Sequence, residues 1–202
     1  RRGYYDDGRP LGSAESGECR IDAIAQAFAA LDTHADPGRV HTALTSAVEH
    51  LFVREHNVVR LFDPPITRRT PETGYVRSYG AGLRENGGQY THGALWLAMA
   101  LLRTGRTAEG AEILHAVLPA AHDPARYEGE PYVLAADIAG GDNAGVAGWT
   151  WYTGAAGGDL RIAAEDLLGL HLRGGVLYPE PHLPAGWPEC TVRWRDGAGL
   201  LH

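Results

Sequence analysis

Apolar residues fall on one helical face in five stretches of this chain. In residues 18–31, Ile21, Ile24, Ala25, Phe28 and Leu31 recur every three or four positions, the stripe of an amphipathic helix. Asp36-Pro37 then supplies a capping carboxylate with proline at the first helical position, and the helix it opens carries Val40, Leu44, Ala47, Val48 and Leu51 on one side. Two helices joined by so few residues predict a helical hairpin. A second hairpin is expected from residues 91–103, apolar almost all round, and 107–118, with Ala111, Leu114, Val117 and Leu118 inward. A fifth helix is expected over 155–172, with Leu160, Ala163, Ala164, Leu167 and Leu168 inward and Gly174-Gly175 as its breaker.

The segments between these helices are long. Residues 58–62 read as one short strand or as extended chain. Residues 63–88 hold Pro64, Pro65, Pro71, Gly74, Gly80, Gly82, Gly87 and Gly88, a density that opposes any long helix. A loop beyond about 15 residues in a compact protein is usually functional or disordered. Here it carries Tyr75, Tyr79, Arg84 and Glu85, which favours function. A second loop region covers 119–148, and the last stretch (VLYPEPHLPAGWPECTVRW) reads as short strands with turns. The pattern therefore predicts a mainly α architecture of helical hairpins with long loops over residues 1–173. The start of a β module follows at 174–202. No residue pattern repeats between the hairpins, which disfavours a regular solenoid and leaves a bundle or part of a toroid.

Composition narrows the partners. With 44% hydrophobic and 21% charged residues, the 202-residue chain suits one packed domain or a large piece of one. A net charge of -7 argues against nucleic acid or an anionic membrane surface, while leaving room for one local anion pocket. The longest apolar run (GALWLAMALL) is about half of the ~20 residues that cross a bilayer, so it reads as a buried helix. Cys19 and Cys190 stand far apart and suggest no disulfide scaffold. No secretory leader opens the chain, whose first residues (RRGYYDD) look like the middle of something longer.

Four segments are polar, aromatic and glycine-rich where helices need only turns. In the first (YYDDGRPLGSAESGEC), Asp6 and Asp7 could hold a metal or raise each other's pKa, or simply form a solvated Asp-Asp-Gly turn. In the second (RENGGQYTHGALW), paired glycines allow close backbone approach to a ligand. Arg84, Glu85, Asn86, Gln89, Tyr90 and His92 offer donors and acceptors of every kind, a mixture suited to sugar hydroxyls. His92 sits where the loop enters a helix, so an imidazole and a helix start could face one anion; a turn with a satisfied core histidine fits equally. In the third (YEGEPYVLAAD), Glu130 precedes proline in expected extended geometry, with Tyr132 two residues on, either as a sugar clamp or as surface decoration. In the fourth (GWTWYTGAAG), Thr150 and Thr153 suit caps of the next helix, and Trp149, Trp151 and Tyr152 either pack in the core or offer a stacking surface. Zinc spacing, H-E-x-x-H, a G-x-S-x-G elbow and phosphate or dinucleotide loops do not occur.

Taken in order, YDDGRPLGS, ECRIDAIAQAF, RENGGQYTH, EPYV, WTWYTGAAG and LPAGW resemble the inverting phosphorylases of glycoside hydrolase family 94. That group includes cellobiose phosphorylase and the C-terminal phosphorylase-like domain of cyclic β-1,2-glucan synthase, and the ECRIDAIAQ and RENGGQYTH forms look closest to the β-1,2-glucan branch. The resemblance implies the C-terminal part of an (α/α)6 toroid with flanking β modules. It places phosphate on His92 and Thr153 and sugar on Glu85, Gln89, Tyr132 and, more weakly, Glu130. It implies no metal or organic cofactor, with inorganic phosphate as co-substrate beside an oligosaccharide or glucan. The family's general acid has no counterpart in these residues, so the chain should need the N-terminal half of the toroid and be inactive alone. A homodimer stays open. The expected location is the cytoplasm, or the cytoplasmic side of a larger membrane protein. A carbohydrate-binding helical domain without chemistry and an inverting glycoside hydrolase, with Glu85 as its base, are the rival functions.

Overall fold

The computed structural model describes residues 1–68 and 72–202 and, for Thr153, the backbone alone; Pro71 of the expected loop lies outside the described residues. An antiparallel pair, β1 (Gly3–Tyr4) and β2 (Pro10–Leu11), opens the chain. Strand β3 (Ile21–Asp22) leads into α1 (Ala23–Leu31), and α2 (Pro37–Leu51) runs on into β4 (Phe52–Val53), β5 (Val58–Val59) and β6 (Phe62–Asp63). After the long loop, β7 (Gln89–Tyr90) feeds α3 (Thr91–Arg103), which α4 (Thr107–Ala116) follows. Next come the single-turn α5 (Pro124–Tyr127), β8 (Asp137–Ile138), β9 (Ala147–Gly148) and α6 (Thr153–Ile162), the last extended by a π-helical turn over Ala163–Leu167. The hairpin β10 (Leu170–Arg173) and β11 (Val176–Pro179) completes the named elements.

The near-uniform hydrophobicity of α3 has a packing cause. Helices α1 and α6 flank it and α4 backs it, while α2 backs α1. Apolar side chains are therefore wanted on almost every side, and Leu95, Leu97, Leu101 and Leu102 are all fully buried. Capping fixes the flanking helices. Asp22 accepts from Ala25 N at 3.0 Å to start α1 and is ion-paired to Arg2 through its other oxygen. Asp36 accepts from Arg39 N at 2.9 Å with Pro37 at the first helical position, as the sequence predicts. The face of α2 formed by Leu44, Ala47, Val48 and Leu51 is buried, again as predicted.

Several expectations fail for identifiable reasons. Helix α1 starts at Ala23 because Ile21 and Asp22 pair with Asp63 and Phe62 instead. It then buries the small Ala23 and Ala27, leaving Phe28 half-exposed with its ring edge-on to Trp96 at 5.2 Å. Leu160 of α6 is 72% exposed rather than inward, since Ala155 and Ile162 face the core. The π turn adds a residue to one turn and shifts the phase, so Asp166 and Leu167 point in; Asp166 then receives Arg103 Nε at 2.5 Å. The helical run ends at Leu167, not 172, and Gly174-Gly175 turn the β10–β11 hairpin instead of breaking a helix, both with positive φ. That hairpin straddles the 173/174 boundary expected for the β module. Residues 58–62 likewise divide between two strands, β5 and β6, which join different partners.

Gly110 shows how tightly α3 and α4 meet: a Cβ there would stand 2.7 Å from Leu102 Cγ and 3.1 Å from Ala98 O. Glycine to alanine inside a helix ordinarily gains about 0.5–1 kcal/mol. Here the overlap reverses the sign, and Gly110→Ala should lower stability by about 1–3 kcal/mol in chemical denaturation; a gain would mean that the two helices are not in contact there.

Candidate functional site

A three-stranded antiparallel sheet brings the two glycine-rich segments together. Tyr90 pairs with Asp137, and Asp137 pairs on its other side with Gly148. Strand β7 passes directly into α3, while α6 begins five residues after β9 ends. The entrances of both helices are therefore set by one sheet. His92, in the first turn of α3, lies along the bare face of α6: a Cβ at Gly154 would stand 3.8 Å from its Nδ1, and one at Gly158 would stand 3.4 Å from its Nε2. Its ring also packs against Trp96 at 4.7 Å between centroids, and among the described residues neither ring nitrogen has a hydrogen-bond partner.

Among the described residues, neither helix start is capped by a side chain. Tyr90 and Tyr152 hold the two cap positions and make no side-chain capping bond. Thr150, expected as a cap, instead donates toward Glu130. Thr153 is the first residue of α6, but its side chain, expected on phosphate, lies outside the described residues. Two uncapped helix starts leave backbone N–H groups and positive dipole ends free for an anion. Beside them runs a groove of about 460 Å³ between α3 and α6, lined by His92, Trp96, Met99, Gly157, Gly158 and Arg161.

The loop before α3 has a structural half and an open half. Asn86 is fully buried: its Oδ1 accepts from Ile66 N at 2.7 Å, and its Nδ2 donates to Ile66 O and Tyr79 O at 2.9 and 2.8 Å. Gln89, expected on sugar, is 0% exposed, accepts from Val59 N at 2.8 Å and donates to Thr91 Oγ1 at 3.3 Å. Its amide joins β5 to β7 and leaves no surface for a ligand. The glycine pair packs within the fold, for a Cβ at Gly88 would be 2.8 Å from the carbonyls of Gly82 and Arg84, and one at Gly87 would be 3.1 Å from Pro65 Cβ. Glu85 belongs to the open half. Its Oε2 is sealed from solvent without a donor among the described residues, and Tyr75 OH is 3.5 Å from Oε1, too long for a firm bond.

Aromatic rings gather at the other side. Trp149 and Trp151 are 51% and 66% exposed, so they do not pack in the core. Both have positive φ, 36° and 67°, a backbone state costing of order 1–3 kcal/mol for a bulky side chain. Contacts hold them there. Trp149 stacks on Tyr152 at 5.2 Å and carries the Arg84 guanidinium 3.4 Å over its ring, while Trp151 Nε1 donates to Glu130 Oε1 at 2.8 Å. Hydrogen bonds from its own backbone N–H, Trp151 and Thr150 hold the Glu130 carboxyl below its usual range. Tyr132, 78% exposed, meets Trp151 edge-on at 6.3 Å. Glu130 and Tyr132 thus both touch Trp151, from a turn closed from Val133 N to Glu130 O rather than from extended chain. Asp6 and Asp7 form the bland alternative, a turn in which Asp7 accepts from Arg9 N and Nε.

Asp137 was not singled out by any motif. Its carboxyl lies over Gly148, where a Cβ would be 2.7 Å from Asp137 Cγ, and it accepts no hydrogen bond among the described residues. Burial pushes it above the usual carboxylate range and the Glu85 charge adds to this, while Arg84 opposes both. A lone acid between Ala136 and Ile138 in an extended stretch was the signal available in the sequence.

The chain belongs to the glycosyl hydrolase 94 superfamily, whose catalytic-domain model matches residues 1–169. It is 46% identical over 201 residues to the cyclic beta-(1,2)-glucan synthase NdvB of Rhizobium meliloti (strain 1021), covering 96% of this chain and 7% of that protein. It is 28% identical over 207 residues to the 3-O-beta-D-glucopyranosyl-beta-D-glucuronide phosphorylase of Paenibacillus borealis, covering 99% of this chain and 26% of the relative. The N,N'-diacetylchitobiose phosphorylase of Vibrio proteolyticus is 27% identical, with 96% and 25% covered. The chain thus spans about a quarter or less of the length of these relatives.

Two stability measurements follow from the site. Asn86→Ala strands two buried backbone groups of Ile66 and the part-buried carbonyl of Tyr79 and should cost about 1–3 kcal/mol, with faster proteolysis within 63–88; unchanged stability and proteolysis would show that Asn86 does not pin the loop. For Asp137 the carboxyl is raised in the folded state, so folding is penalised once pH rises above that value and not below the unfolded range. Asp137→Asn should therefore melt higher than the parent at pH 7, with the difference shrinking as pH falls toward 4. A lower melting temperature at pH 7 would mean that the carboxylate is a stabilising partner.

Proposed function

We propose that this chain is the C-terminal part of an (α/α)6 toroid that, in the full-length protein, transfers a glucosyl group from a β-glucoside to inorganic phosphate with inversion, giving α-glucose 1-phosphate. Three of its helices, α1, α3 and α6, pack side by side with α2 and α4 behind, as successive hairpins of such a ring would. The observation that carries the reading is the hydrogen-bond-free His92 ring laid against the uncapped start of α6. The phosphorylases among the relatives support phosphate as the acceptor. The glucan synthase supports a β-1,2-linked substrate over a β-1,4-linked one.

The chemistry asks little of the protein beyond positioning. An inverting hydrolase needs one carboxyl to protonate the leaving oxygen and another to activate water. Phosphate arrives as an anionic nucleophile, so the second carboxyl becomes unnecessary. The protein must hold that anion in line and provide one acid. His92, Thr153 and the first-turn amides of α3 and α6 would do the holding. The sugar would sit on Glu85, Tyr132 and Glu130 among the tryptophans, with no metal or organic cofactor involved. Gln89 would act only through the strand it holds. The acid would come from residues outside this chain, in the remainder of the ring, and the enzyme would work in the cytoplasm or on its side of a membrane.

The test is phosphate-dependent release of glucose 1-phosphate from a β-1,2-linked gluco-oligosaccharide. Full-length protein should catalyse it and the 202-residue chain alone should not; turnover by the chain alone would falsify the need for an outside acid. His92→Ala in the full-length protein should raise KM for phosphate about 10-fold or more with sugar binding little changed. Equal loss of both would give His92 a structural role. Phosphate-independent release of free sugar would favour the hydrolase, and binding without turnover the carbohydrate-binding domain.

A further inference from the structure

We propose that Asp137 is a specificity-determining residue of the sugar site, where its carboxylate and that of Glu85 together accept hydroxyl hydrogens from one glucosyl ring of a β-linked gluco-oligosaccharide. This rests on the reading of the site as carbohydrate-binding and adds a residue to it. Three observations converge. The sheet register aims Asp137 at a place cleared for it, since the opposite residue is Gly148 and any side chain there would overlap the carboxylate. Glu85 Oε2 is shut off from solvent and has no donor among the described residues. Arg84, the nearby cation, forms no ion pair with either carboxylate among the described residues and lies flat on Trp149 at 3.4 Å. Two carboxylates are thus left with unused acceptor sites beside an exposed indole. A fold seldom keeps such groups without a partner, because burying an unpaired carboxylate costs free energy that a donor would recover.

The occupant must bring donors. A second cation is disfavoured, since Arg84 already supplies positive charge to this cluster and pulls the Asp137 carboxyl down. A polyol brings several O–H donors and no net charge, and its C–H face can rest on the Trp149–Tyr152 stack. Two carboxylates close enough for the charge of Glu85 to act on Asp137 also select geometry: they suit two hydroxyls of one ring and reject a ring that lacks one of them. Sites that hydrogen-bond a substrate hydroxyl discriminate far better than apolar pockets do.

The experiment uses the full-length protein and its Asp137→Asn variant, which keeps the shape and removes the acceptor charge. Calorimetric titration with a β-1,2-linked glucotriose is run beside steady-state phosphorolysis. The expected result is a rise of about 10-fold or more in Kd and in KM for the sugar. KM for phosphate should stay within about twofold, in a variant that melts no lower than the parent at pH 7. An unchanged sugar Kd overturns the inference. So does a collapse of kcat at unchanged sugar KM, which would make Asp137 a proton donor. If the parent binds glucotriose and the variant does not, but neither forms glucose 1-phosphate, Asp137 keeps this role and the phosphorolysis reading falls. If the parent forms glucose 1-phosphate and the variant matches it, only the Asp137 inference falls. A parent that does not bind glucotriose overturns both.

Discussion

The register of β7, β8 and β9 is the constraint on which the site depends. Six residues in three short strands decide where α3 and α6 begin, because β7 ends at Tyr90 and β9 ends at Gly148. A slip of one residue would turn Asp137 to the other sheet face. It would also carry His92 away from the glycine face of α6. So small a sheet is only marginally stable by itself. It is fixed from outside by Gln89, whose amide ties β7 to β5, by Thr91 N bonded to Ala136 O, and by the apolar bulk of α3 immediately after it. Gln89, one of the residues expected on sugar, is therefore one that holds the strand in register.

Most of the scaffold could be read from periodicity and caps. The bounds of α3, the Asp36-Pro37 start of α2 and its buried face came from local rules that tertiary packing had no reason to override. The misses have two causes. Ile21 has helical spacing but is claimed, with Asp22, by a pairing with β6 that no window of a dozen residues contains. Leu160 fits a 3.6-residue stripe, but the π turn that follows it breaks that period. The site was legible in kind rather than in assignment. The glycine-rich segments do meet, yet which of their polar residues face inward depends on strand register. Thus Asn86 and Gln89 bond within the fold, while Asp137, directly after four apolar residues, carries no motif.

Strain and unpaired groups lie on the same side of the chain as the exposed aromatics. Two tryptophans with positive φ, an orphaned Glu85 oxygen and a partnerless Asp137 each oppose folding by an amount of order 1–3 kcal/mol. Buried leucines of α3 offset them, since each contributes about 2–5 kcal/mol by the loss expected on truncation to alanine. The division is spatial as well as energetic: the apolar helix supplies the stability, and the sheet and loops in front of it hold the groups that gain little from folding.

That division bears on what the groove can bind. His92 meets α6 across Gly154 and Gly158, and among the described residues no side chain stands between the imidazole and that face, so an anion there would touch both at once. The carboxylates of Glu85 and Asp137 belong to the sheet and its preceding loop, and they would repel the same anion if they shared its position. An anion and a neutral polyol can occupy neighbouring places only when the negative groups face the polyol and the imidazole and amides face the anion. The sheet supplies that separation, because Tyr90 stands between Asp137, its strand partner, and His92, two residues further on.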